Sequence, residues 1–310
     1  MPARPALLLA CAAIILAASV RPTTQADALF EFHSNPWLNL HHILWAQGQR
    51  VVPPTDMTDG ERSAWNDGIA FYAPYAKRDL LFDEELVRIK AALRTVETNT
   101  SLDGVAIDPS VKATLERLMP IYRKHWWPAH DRTNREWIAA ARTLVDRHGA
   151  ALNAAIARAY SVTPENPVWV DVAVSAHPVG AYTTSPPTHV MISSTDPSYG
   201  GYAALEMLFH ERSHAWGRIM FDGVMAAATT QGVKTPPQLP HAIIFYTAGD
   251  LTVRELEQHG IAYRHYAERG LYDRLCGAGC GDQLAANWRP YLDGTRTRPE
   301  AFTALVASFK

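Results

Sequence analysis

The chain has 310 residues, 47% of them hydrophobic and 19% charged, with a formal net charge of −2. That is globular composition, long enough to bury a sizeable core as one large domain or two intimately packed halves. A near-neutral balance does not suggest a nucleic-acid polyanion as partner.

The first 28 residues read as a signal peptide. Arg4 supplies a positive start, Ala6 to Val20 is an apolar run, and Ala26-Asp27-Ala28 offers a small-residue cleavage site. The run is short for a spanning helix of about 20 residues. The expectation is a secreted or periplasmic chain starting near Leu29, without stable membrane insertion after cleavage. In an oxidising compartment Cys276 and Cys280, set in a Gly-rich loop, are expected to pair.

Residues 29–160 read as a helical N-terminal part. Asn35 with Pro36 predicts a helix start, and Trp37, Leu40 and Leu44 form its apolar stripe. His33, His41 and His42 lie in this apolar setting, either bonded to backbone or supporting a cleft. Further helices are expected from Thr58 to Tyr75, Asp79 to Thr98, Asp108 to Met119 and Arg132 to Tyr160. His125, His130 and His148 read as surface or packing residues.

Residues 161–310 change texture. Val168 to Val174, Gly180 to Thr184 and Thr188 to Ser194 read as strands. Asp196 to Gly201 is a turn into a helix, Ala203 to Trp216, that carries His210-Glu211-Arg212-Ser213-His214. Spaced by four on a helix, the two His stand one turn apart on one face and can converge on one ion. Glu211 points beside that ion. This is H-E-x-x-H, two imidazole ligands for Zn²⁺ with an adjacent carboxylate as proton acceptor.

Motif and element order together resemble the zincin metallopeptidases, in their gluzincin-like branch. The resemblance spans about residues 165 to 260. It implies an α+β, mostly helical fold, with a small sheet whose edge strand, Val190 to Ser194, precedes the active-site helix and takes substrate as an added strand. The metzincin continuation is absent: Gly217 fits it, but Met220 stands where a third His belongs. The resemblance then implies a carboxylate third ligand on a later helix. Asp250 is the foremost candidate in the apolar run after Leu239-Pro240, with His241 and Glu255 as contenders. Glu255 stands near the helix end, where solvation is expected. Asp250 and His241 are nine positions apart (250 minus 241), about 180° around a helix, so both cannot face one ion. His241, Tyr246 and His189 are candidates for stabilising an oxyanion, and Arg254 for bonding Asp250.

The expected function is an exported hydrolase with a Zn²⁺ cofactor, cleaving peptide or protein substrates with a zinc-activated water and Glu211 as general base. The alternative is a non-enzymatic exported helical protein, binding or envelope-associated, with a structural or accidental metal motif.

Overall fold

The computed structural model describes residues 28–49 and 51–310, so the signal-peptide expectation lies outside the described residues. Four short strands form one sheet: β1 Phe30–His33, β2 Val168–Ala173, β3 Ala181–Thr184 and β4 His189–Ser193. Their spatial order is β1-β2-β4-β3, with β1, β2 and β4 parallel and β3 antiparallel to β4. Strand alternation divides the side chains between two cores. Val168, Val170, Val172, Val190 and Ile192 face one. Ala173, Met191 and Tyr182 face the other.

The second core is covered by α1 Pro36–Trp45, α2 Asp59–Tyr72, α3 Glu84–Arg94 and α4 Pro109–His125. Their starts follow from sequence. The Asn35 side chain accepts from the Trp37 and Leu38 amides, Thr58 and Glu61 form a capping box, and Asp108 caps the helix that Pro109 opens. On the other face lie α5 Trp127–Tyr160, α6 Tyr202–Ser213, α7 Gly217–Gln231 and α8 Leu239–Gln258. Four short helices complete the chain: α9 Leu271–Cys276, α10 Cys280–Asn287, α11 Arg289–Leu292 and α12 Arg298–Ala307. Cys276 and Cys280 are joined as expected. No helix among the described residues is long and apolar enough to cross a membrane.

The fold is α+β and mostly helical, and it departs from the sequence reading in its sheet and in its division into parts. The edge beside α6 is β3, and β4 is interior. All five β4 residues are buried, which suits a strand paired on both sides, while Thr183 and Thr184 keep β3 half-buried and polar. The boundary at residue 160 also fails to separate packing units. β1 pairs with β2 across it, and α5 packs into the same core as α6 and α8.

Candidate metal centre

Eleven of the twelve α6 residues are buried, leaving only Tyr202 part-exposed. A helix buried on all sides belongs at the centre of a domain, and this one, which takes Glu206, His210, Glu211 and Arg212 inside with it, lies between β3 and α8. It stops at Ser213, earlier than the sequence suggests, and His214 opens a tighter turn, His214–Trp216. The pair still meets: His214 Nε2 stands 3.2 Å from His210 Nε2. The first turn of α8, started by Pro240, brings His241 Nε2 to 3.4 Å from His210 Nε2. Phe245, one turn further along α8, stacks on the His210 ring at 3.6 Å and 21°.

Each of these His offers one ligand nitrogen, and the three lie within 4.8 Å of one another. A neutral imidazole carries only one N–H, so three converging nitrogens cannot all satisfy each other by hydrogen bonding. A cation among them can. Nitrogens about 2.0–2.1 Å from a tetrahedral zinc lie roughly 3.3 Å apart, and the two shortest spacings here match that. Burial keeps the rings in the neutral ligand form: it depresses His210 well below its ordinary value, His214 to about 3 and His241 to about 4. The donor set therefore fits zinc.

Glu211 is buried beside this cluster, and its Oε2 accepts a 2.7 Å hydrogen bond from the Thr183 hydroxyl on β3. Burial raises its carboxyl to about 7, against the opposing pull of the Thr183 bond and the Lys90 charge. Glu211 and the three His line a cleft of about 500 Å³, together with Val179, Tyr199, Tyr266 and His177. The Tyr199 hydroxyl is held by the Val179 carbonyl, and the Tyr266 hydroxyl neighbours both Tyr199 and, at 3.5 Å, the Ser198 hydroxyl.

Models of known protein families, curated proteins and solved structures all fail to match this chain. What the site can do is therefore read from its own atoms.

Arg212, the charged residue inside the motif, points away from the cluster. Its Nη2 donates to the Glu165 carbonyl at 2.9 Å and to Asn166 Oδ1 at 2.6 Å, and its guanidinium lies near the Phe30 and Trp216 rings. It anchors the segment entering β2 and leaves the opposite face of α6 to the two His.

Several expected residues lie elsewhere. Asp250 is not brought to the His cluster: its Oδ2 pairs with Arg254 Nε at 2.6 Å, and Arg289 approaches its Oδ1 at 3.5 Å. Those two guanidiniums supply the partner that a buried acid requires. Across the half-turn between Asp250 and His241, it is His241 that the fold brings to the cluster, as a third imidazole. Tyr246 lies against His265 and Tyr272, and with Asp250 it lines a second cavity of about 540 Å³. His189 is buried in the sheet, 2.7 Å from Asp171. Glu255 is buried, not solvated, because α8 runs on to Gln258 and packs against α5.

The early histidines do not line the cleft. His33 stacks on Trp169 and bonds Glu97, and His41 contacts the Tyr72 hydroxyl. His42 bridges the Leu38 carbonyl and the hydroxyl of Tyr182, a residue that lines the cleft. Sequence reasoning did not single out Thr183, His177, Tyr199 or Tyr266. Thr183 alone left a trace, as the polar half of a short strand next to the motif helix.

Proposed function

We propose that this protein is an exported zinc-dependent hydrolase of zincin type, a metallopeptidase acting on peptide or protein substrates. One observation carries the reading: three neutral imidazoles converge beside a buried carboxylate at the open edge of a sheet. His210, His214 and His241 would hold the ion. An imidazole then stands where the resemblance implied a carboxylate. When bound, zinc supplies Lewis acidity, lowering the pKa of a water to about 7. A structural zinc site is closed by four protein ligands. Three potential ligands meet here among the described residues, and all three border the cleft, which favours a catalytic site.

Glu211 is the proton acceptor and then donor. Burial raises its carboxyl above the ordinary range, which strengthens it as a proton acceptor, and a bound ion would act in the opposite direction. Thr183 fixes one carboxylate oxygen, so the other faces the cleft chemistry. An extended substrate segment can pair with the free edge of β3, which places its backbone above Glu211. The Tyr266 hydroxyl lines the cleft and is a group that can donate to a developing oxyanion.

The test is Glu211→Gln, which keeps the shape and removes the base. The variant should retain the parent's zinc content and melting temperature and lose nearly all hydrolysis of a generic protein substrate. Hydrolysis at the parent's rate would refute the enzyme reading.

A further inference from the structure

The geometry points to a second metal site, a zinc clamp between α5 and the far end of α8, built from His148, Glu255 and His259. Sequence reading assigned His148 a packing role and Glu255 a solvated one. In the fold, His148 Nδ1 lies 3.1 Å from Glu255 Oε1, and His259 Nε2 lies 3.0 Å from the same oxygen. The three ligand atoms fall within 4.8 Å of one another, the same closeness as in the first cluster. The two ring pairs also match: His148 and His259 are 4.9 Å apart at 75°, His210 and His214 are 4.8 Å apart at 89°.

Two features distinguish this group from an ordinary hydrogen-bonded pair. The first is charge. Glu255 is buried, and its only ion-pair partners among the described residues are the two imidazoles. A buried carboxylate without Lys or Arg takes its compensating charge from what these rings bind, a proton or, shared between both rings, a divalent cation. The second is convergence: both imidazoles reach one and the same carboxylate oxygen, at 3.1 Å from His148 and 3.0 Å from His259, from two different elements of the fold.

Two imidazoles and a carboxylate suit zinc among common divalent ions. His259 is exposed, so the ion enters from solvent, while His148 and Glu255 are buried. Because α8 also carries His241 in its first turn, the clamp would pin to α5 the helix that supplies the catalytic centre's third imidazole.

The experiment titrates tag-free, metal-stripped full-length mature protein with Zn²⁺, reading stoichiometry by elemental analysis after gel filtration and melting temperature in parallel. The parent should take two equivalents, His259→Ala one, and His214→Ala with His241→Ala one. Glu255→Gln should match His259→Ala, and circular dichroism should show each variant folded. If the parent binds a single equivalent that disappears with His259→Ala, the clamp stands and the catalytic centre fails. If His259→Ala and Glu255→Gln, both folded, retain the parent's stoichiometry and its zinc-dependent rise in melting temperature, the clamp is overturned.

Discussion

Replacing His241 and Asp250 in turn decides which α8 residue holds the ion. His241→Ala removes one of three imidazoles whose nitrogens lie within 4.8 Å of each other, together with the ring beside Phe245. Four-ligand zinc sites bind with about 10–16 kcal/mol, so one ligand contributes roughly 3 kcal/mol. At 1.4 kcal/mol per factor of ten, zinc affinity should fall by about 100-fold. Asp250→Asn keeps the volume and breaks the 2.6 Å pair with Arg254. It should cost about 1–3 kcal/mol of stability, because Asp250 is 2% exposed and Arg254 loses one of its two carboxylate partners, keeping only Asp293. Its zinc affinity should stay within a factor of about three of the parent, under 1 kcal/mol. The assay is competition against a chromophoric chelator in a His259→Ala background, so that one site is read, with urea melts in EDTA for stability. Weakened zinc binding in Asp250→Asn with parental affinity in His241→Ala would refute the assignment.

Two further outcomes follow from named bonds. Thr183→Val removes the hydroxyl that orients Glu211, a bond to a charged group worth roughly 1.5–3 kcal/mol. kcat should drop about tenfold or more with zinc content unchanged, and Thr183→Ser should recover it; an unaltered kcat would count against the orienting role. At His33 burial works to lower the pKa, but the Glu97 hydrogen bond and the charges of Asp171, Glu97 and Glu31 carry it above the ordinary value. A raised folded-state pKa means the pair stabilises fully below about 6.5 and loses its contribution as pH rises through the folded value. In urea melts Glu97→Gln should therefore cost about 1 kcal/mol more at pH 5.5 than at pH 8.5. Equal costs at the two pH values would contradict that linkage.

The parts of this site that were legible in sequence are those with local signals. His210 and His214 are a turn apart, Asn35, Thr58 and Asp108 mark helix starts, and alternating Val residues mark β2. What escaped depends on long-range packing. β1 is only four residues, and its partner begins at Val168, so nothing near Phe30 announces a parallel pairing. On α8, fourteen of twenty residues are buried, so periodicity names no face, and Asp250 stands ahead of His241 until Arg254 and Arg289 are seen to claim the acid. Glu255 reads as solvated only if the helix ends early. The edge strand was misassigned because a buried-looking β4 and a polar β3 exchange roles once the chain reverses between them.

The parallel pairing of β1 with β2 has a consequence for how the chain acquires its shape. Phe30 must wait for Val168, 138 positions later, and β4 must follow before the sheet has its interior. Closing so long a loop costs entropy before any contact repays it, so the nucleus should form from the helical hairpins and the β3–β4 pair, with β1 docking late. Until then the Phe30 and Phe32 side of the core stays open, and Phe209, on which Phe30 packs edge-on, sits one residue from His210. The ligand cluster is thereby tied to the slowest-closing seam of the molecule. Zinc capture should accordingly lag behind helix formation when refolding is followed in real time.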